Sequence, residues 1–506
     1  AGHYQIFSGS GSFAGFANNN HASLKWWGAT IDGSTDDTTA VNAAIASADS
    51  IFHPGGICIV ENSTLAGTSS LTGAGKKVSI FKLKAGASSA QILNTVSAKD
   101  GIEIKGIGFD ANSVTNGICL NLIAATSVLV SDCRFTSKYG VYLLGACDDI
   151  KISSCTFDAN SYGVITEPSS TSQNVTISDS VFKNCTADGI EINCPTGSAL
   201  LWAIDTCNFY DIGSNGANSG FGIGASGGTS YIDGLAIDNC NFYRCDQQAI
   251  HIEDGCRGVT ISNFNIIDTG HGGTQTIIAG IYIAATVANR AISDVTIGPG
   301  TIRGVDDMDY GIYAAGSVAL NGLGIDNVTI RSALLYGAWF GSVLEAFTIN
   351  VLKCYDNTGP GIRVAGDKGS YTGCICTVID GAQTYGMEFN TGTDLVITGN
   401  VLTDNDTAPI LITSALTTSI VRNNRGYVTE NSGTGTINSG STSATITHGL
   451  SASPLRQNLN VTFAENPDNT PGLPWVDTIT STQFNVNVEN DPGASHLDFA
   501  WQAIIL

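Results

Sequence analysis

One short phrase recurs through the middle of the chain: a Gly or another small residue followed by alternating apolar positions. It stands at Gly140-Val141, Gly163-Val164, Gly189-Ile190, Gly222-Ile223, Ala249-Ile250, Gly280-Ile281, Gly311-Ile312, Gly337-Ala338, Gly361-Ile362, Gly386-Met387 and Pro409-Ile410, at spacings of 23 to 33 residues. A second phrase keeps step with it and ends in Phe135, Phe157, Phe182, Phe209 and Phe242. Cys133, Cys155, Cys207 and Cys240 stand just ahead of four of these. Two phrases locked in phase mark a chain wound from stacked units. Within a unit, runs such as Val175-Thr176-Ile177-Ser178 alternate with period 2 between Asn, Asp and Gly turns, and no 3.6-residue stripe occurs. These are strands of a coil. One coil cannot bury its own apolar face, so coils stack, with the Phe residues forming one inward ladder and the Cys residues another. The expected fold is all-β: a right-handed, single-stranded parallel β-helix.

Composition agrees with a turn-rich chain that is poor in charged helices. Gly accounts for 60 of 506 residues and charged residues for 13%, against about 7% and about 25% in ordinary proteins. With 22 Lys+Arg against 44 Asp+Glu, the formal charge of −22 opposes nucleic acid and anionic lipid as partners. The charge-free stretch between Asp268 and Arg290 is rich in Gly, Thr and Gln, so no membrane insertion is expected. The 14 cysteines recur in repeat slots and read as small buried thiols. Cys147, Cys194 and Cys256 fall in separate units with no paired His, so neither a metal nor any other cofactor is expected.

Ahead of the repeats, Trp26 to Ile45 passes from a turn-rich acidic stretch, Asp32-Gly33-Ser34-Thr35-Asp36-Asp37, into an Ala-rich helix that would lid the first coil. This segment resembles the opening motif of the pectate-lyase-like superfamily as it occurs in phage tailspikes, and the likeness of coil pattern runs to about residue 425. After Asn424 the pattern stops. Ser432 to Ser443 reads as a polar linker to a small β module containing Ala444–Leu450, Trp475-Val476 and Asp498–Trp501. That module is similar to the carboxy-terminal domain of several tailspikes, which implies a homotrimer. The expected division is a cap region over 1–60, the β-helix over 61–430 and a carboxy-terminal β domain over 431–506. The resemblance further implies a place in the virion tail, joined through an amino-terminal part that would precede Ala1.

Residues two apart on a strand face the same way. The second residue after each motif Gly therefore forms an outward column: Tyr142, Ile165, Glu191, Gly224, His251, Tyr282, Tyr313, Trp339, Arg363 and Glu388. The next outward position adds Glu167, Asn193, Ser226 and Glu253. Gly224 leaves a rung without a side chain, a gap where a sugar ring would fit. Carboxylates gathered on one wall are costly unless they serve something. Glycoside hydrolysis needs two of them, one as acid and one as base or nucleophile. Glu191 and Glu253 are the candidate catalytic pair. Glu167 and His251 are candidate substrate ligands, and Tyr282, Tyr313 and Trp339 offer flat rings for an extended glycan. Long insertions over Asp211–Gly220 and Asp268–Ala279 would wall this stretch into a cleft.

Thr186-Ala187-Asp188-Gly189-Ile190-Glu191 is also similar to the NTDGID motif of the polygalacturonase family, and Gly270-His271-Gly272 to its GHG. This resemblance implies Asp188 as a general acid and His271 as a wall residue. The chain departs from that family at Thr186 and Ala187, and again at Gln247-Gln248, where its Asp pair would fall. Three functions follow: an endo-glycosidase of the tailspike type that depolymerises a bacterial capsular or O-antigen polysaccharide, a polysaccharide lyase on the same fold, and a fibre that binds glycan without cutting. A lyase needs groups that neutralise a uronate, and Arg363 lies several coils from the carboxylates. Hydrolysis is preferred.

Overall fold

A computed structural model describes residues 21–505 apart from 67, 97–99, 137, 214–219, 271–276, 306, 415 and 465–469. His271 and most of the two insertions lie outside the described residues. The repeated units are coils of a parallel β-helix whose strands stack into three long parallel sheets, one of 18 strands and two of 14. Each coil passes first through the sheet holding the Phe slot, then the sheet that follows the motif Gly, then the third. Strands over Asp32–Asp36 and Ser50–His53 already pair with later coils. The lid itself is the helix Thr38–Ser47, which buries Val41, Ala44 and Ile45.

The turn-rich stretch before this helix is held by its own carboxylates. Asp37 is buried and accepts the backbone N–H groups of Thr30 at 2.7 Å and Ile31 at 3.0 Å, while Asp32 accepts those of Ser34 and Thr35. Farther along, the corner before the Phe slot takes a left-handed conformation coil after coil, at Asp132, Asp179, Asn239 and Asn263 among others. Asn and Asp tolerate that region better than most residues, which is why they punctuate the repeat.

Inside, the aromatic ladder is longer than the sequence phrase. Phe81, Phe109, Phe135, Phe157, Phe182, Phe209 and Phe242 stack with successive centroids 4.5 to 6.1 Å apart. The same slot then continues through Ile266, Ile302, Ile330, Cys354 and Cys376. The Cys ladder is present as expected: all the cysteines are buried free thiols, and Cys133, Cys155, Cys207 and Cys240 each point Sγ at a carbonyl of the coil before.

After the last coil the chain forms two small antiparallel sheets. The first half of the segment expected to be a polar linker is a strand instead. Glu430–Ile437 pairs residue for residue with Leu497–Ile504. The physical reason lies in its glycines: a Cβ at Gly433 would stand 3.0 Å from the Trp501 ring, and one at Gly435 would stand 2.5 Å from Phe499. Bare backbone there lets two aromatic rings lie flat on the strand.

The two sequence phrases keep phase because they touch. A Cβ on Gly163 would sit 2.5 Å from Phe182, one on Gly189 2.7 Å from Phe209, and one on Gly222 2.6 Å from Phe242. Ala replaces this Gly at position 249, where the next coil carries Ile266 in place of Phe. We therefore expect Gly163→Ala to destabilise the protein by about 1–3 kcal/mol through overpacking. Adding Phe182→Ile should recover little of that loss, because the Gly189 carbonyl also lies 2.6 Å from this Cβ, and Ile in the same slot crowds Gly280 and Gly311 at 2.7 and 2.3 Å. A double-mutant cycle on urea midpoints measures the coupling.

Candidate active site

The sheet that follows the motif Gly carries the outward column in the expected register. Cα pairing runs Tyr142, Ile165, Glu191, Gly224, His251, Tyr282, Tyr313, Trp339, Arg363, Glu388 without a slip. Asn193, Ser226 and Glu253 pair in the second column. Glu191 and Glu253 are thus two strands apart, about 10 Å across the sheet at the usual strand spacing, and one same-face step apart along it.

A cleft of about 410 Å³ opens between them, lined by Glu191, Asn193, Phe221, Ser226, Gln247, Gln248, His251, Glu253, Ile277 and Tyr282. That volume suits a small ligand. Two features differ from the sequence reading. The Gly224 rung is not an open gap, because a Cβ there would collide with Glu191 Oε2 and crowd the Phe221 ring at 3.2 Å. The missing side chain makes room for the Glu191 carboxyl. Glu167 does not line the cleft: it follows the strand Tyr162–Thr166, and its Oε2 accepts the Ser169 N–H at 2.9 Å, closing a turn.

Asp188 also lies outside the cleft lining. It is buried, and one carboxyl oxygen accepts the N–H groups of Gly220 and Phe221, both at 2.8 Å. These residues end the first long insertion, so Asp188 fastens the segment that carries Phe221 into the cleft. Phe221 meets His251 edge-on at 4.6 Å, and Tyr282 stacks on the other side of the imidazole at 4.9 Å. Sequence reasoning did not assign Phe221, Gln248 or Ile277. Each stands at the end of an insertion or just before the motif Gly, where strand alternation gives no direction.

Rings continue on both sides of the cleft. Toward the carboxy-terminal coils, Trp339 lies 5.1–5.6 Å from Tyr310, Tyr313 and Tyr336, with the Arg363 guanidinium over Trp339 at 4.5 Å and donating to the Tyr336 hydroxyl at 2.9 Å. Glu388 faces Arg363 at 3.5 Å. Toward the amino-terminal coils, Tyr139 stacks on Tyr162 at 5.8 Å and meets Tyr142 edge-on. Tyr139, Tyr162, Tyr310 and Tyr336 belong to the position just before the motif Gly, a column the sequence reading left out.

Residues 27–201 match the family model of the right handed beta helix region. No curated protein matches the chain in sequence. Among solved structures, a double mutant of the tailspike protein of E. coli bacteriophage HK620 is 11% identical, covering 96% of this chain and 94% of that chain at a TM-score of 0.58. The tailspike gp61 of Pseudomonas phage phi297 is 12% identical, covering 97% and 100% at a TM-score of 0.50. The chain has the β-helix fold of the phage tailspikes.

On this tailspike-like body, burial sets the charge states of the cleft. The Glu191 carboxyl is pushed well above the ordinary range, first by enclosure away from water and then by the negative neighbours Asp188 and Glu253. Glu253 is raised too, by burial and by Asp254, with Ser226 and Arg290 pulling the other way. His251 falls to about 4 because burial disfavours its cation. Among the described residues, no group of three or more His, Cys, Asp or Glu is arranged to hold a metal ion, and no helix is long and apolar enough to cross a membrane.

Asp188 is raised to about 7 by burial, against the opposing N–H groups of Phe221 and Gly220. A carboxyl whose pKa is higher folded than unfolded binds more protons in the folded state, so stability drops as pH rises through the window between the two values. We expect Asp188 to contribute a fall in the urea midpoint between about pH 4 and pH 7, alongside contributions of the same sign from Glu191 and Glu253 and of opposite sign from His251. Asp188→Asn, which keeps an acceptor for both N–H groups, should flatten that slope. An unchanged slope would place the proton elsewhere.

Proposed function

We propose that this protein is a tailspike endo-glycosidase of the virion tail that binds a bacterial capsular or O-antigen polysaccharide along the outward groove and hydrolyses it in the cleft. The observation that carries the reading is the pair of carboxyls on one cleft wall, both raised by burial but Glu191 further than Glu253. Such pairs divide the acid and base roles between them. Glu191, enclosed and beside other negative charges, holds its proton at neutral pH and donates it to the glycosidic oxygen. Glu253, raised by burial and Asp254 but drawn back by Ser226 and Arg290 where Glu191 has the added repulsion of two carboxylates, takes a proton from water. The water oxygen bonds to the anomeric carbon as the carbon–oxygen bond to the leaving sugar breaks. The two backbones stand about 10 Å apart across the sheet and about 7 Å along it, positions from which side chains leaning toward each other suit the wider carboxyl spacing that admits a water and inverts the anomeric centre.

Asp188 acts in this reading as a positioning residue, since its carboxyl is engaged by the Gly220 and Phe221 N–H groups. The tyrosines and Trp339 flanking the cleft hold the glycan on both sides of the scissile bond, which suits internal cutting. Structures of like fold are named tailspikes, which supports the same reading. We further propose a homotrimer. Val396 and Ile420 pair on adjacent strands and are exposed, as are Leu473 and Trp475 on the carboxy-terminal module. Neighbouring copies would cover such surface.

Glu191→Gln and Glu253→Gln should each lower turnover by about two to four orders of magnitude, with folding unchanged by circular dichroism. Trp339→Ala should instead weaken glycan binding more than bond breaking. Mass spectrometry of the products separates the alternatives: a water-added product agrees with hydrolysis, an unsaturated one with elimination. Full activity in both glutamine variants removes this pair from the mechanism. Light scattering at micromolar concentration should give three times the chain mass, and a monomer mass would refute the assembly.

A further inference from the structure

The cleft contains polar atoms that no described residue satisfies. Both ring nitrogens of His251 are buried without a hydrogen-bond partner, although the ring is held between Phe221 and Tyr282. Gln248 is 3% exposed, and its amide nitrogen donates to the Ile277 carbonyl, which fixes the orientation of the amide. Its Oε1 is then left buried and unpartnered in the wall of the same cleft. Buried polar atoms are nearly always paired, and leaving one unpaired costs about as much as a hydrogen bond gains or more. Three such atoms around one cleft mark a ligand that supplies the missing partners.

The chemistry of those atoms narrows the ligand. Gln248 Oε1 only accepts, so it calls for an N–H or O–H. A neutral imidazole offers one N–H and one bare nitrogen, so His251 can donate to a carbonyl while accepting from a hydroxyl. A secondary amide presents an N–H donor on one edge and a carbonyl acceptor on the opposite edge, so it can bridge two such groups. Beside the polar Asn193, Ser226 and Gln247, the lining has an apolar part at Phe221, Ile277 and the Tyr282 ring, a surface for a methyl group rather than for water. No Lys or Arg lines the cleft among the described residues, and Glu191 and Glu253 lie on its wall. An acidic sugar would bring further negative charge into a site whose two carboxyls are already raised.

We infer that the cleft seats an uncharged N-acetylated amino sugar, with Gln248 Oε1 accepting the acetamido N–H, His251 donating to its carbonyl, and Phe221 and Ile277 covering its methyl. This rests on the reading of the groove as a glycan site, and it makes Gln248 and His251 determinants of which sugar is bound.

The test uses the whole protein and saturation-transfer NMR with N-acetylglucosamine, N-acetylgalactosamine, glucose, galactose and glucuronate, each at millimolar concentration. The N-acetylated sugars should bind, with the strongest transfer at the acetamido methyl, while the parent hexoses and glucuronate give about tenfold weaker signals or none. Gln248→Leu and His251→Phe, the second of which keeps the stacked ring, should each reduce the methyl signal about tenfold. Equal signals from glucose or glucuronate, or an unchanged methyl signal in both variants, would overturn the inference. A polysaccharide free of N-acetyl groups that the protein cuts at full rate would also overturn it while leaving the glycosidase reading intact. If the N-acetylated sugars bind as described but no polysaccharide is cut, the sugar assignment stands and the hydrolytic reading fails.

Discussion

The close approach of a bare backbone in one coil to a ring in the next fixes the rest of the molecule. The motif Gly brings its Cα against the Phe of the following coil, as Gly163 does against Phe182 and Gly222 against Phe242. This contact sets both the height of a coil and the axial register of its strands. A slip of one residue would turn Ile190 and Ile192 outward and Glu191 inward. With Phe157 stacked on Phe182 at 4.5 Å and the rings within 3° of parallel, the ladder has one register that fills its interior.

A fixed register is also what makes an outward face specific. Because inward and outward residues alternate, the interior of these coils stays uniform while the exterior varies. Ile190, Ile192, Ile223, Ile250 and Ile252 are fully buried, whereas their outward neighbours are Glu191, Gly224, His251 and Glu253. The two sides of each strand carry separate tasks, one of holding the stack and one of lining the groove. The longest coils take up their extra residues between strands, and Phe221 and Ile277, which follow them, line the cleft without a break in the strand register.

Much of this was legible in the sequence, and for a stated reason. The coil phrases, the inward Phe and Cys ladders, the capping helix and the outward column from Tyr142 to Glu388 all follow from period-2 alternation in phase with a repeat. What alternation does not reach was missed. Gly224 read as an empty rung, but the direction in which the Glu191 side chain leans depends on neighbours three-dimensionally, and it leans over that glycine. Glu167 lies past the end of its strand, where a turn recruits its carboxylate. Asp188, Gln248 and the tyrosines at 139, 162, 310 and 336 stand where the chain bends before the Gly, and there sequence spacing gives no facing. The Gly-Thr run over 432–436 looked like a linker because glycine-rich polar segments usually are; the large rings of Phe499 and Trp501, distant in sequence, make it a strand.

The cleft asks the fold to enclose a carboxyl, an imidazole and an amide with incomplete partners, and the solenoid has the means to bear this. In a stack, each coil is stabilised mainly by its nearest neighbours, so a costly outward face on a few coils is offset by the unbroken interior directly behind it. The cost is also partly deferred. A Glu191 that keeps its proton adds no charge to the cleft, and a neutral His251 adds none either, so only Glu253 is left to carry charge there. Under the proposed mechanism, unequal enclosure would also leave the acid and the base distinguished before any sugar arrives. Phe221 and Ile277, which follow the two insertions, supply apolar lining beside His251 and Glu191, so the polar residues and the longest coils occur together.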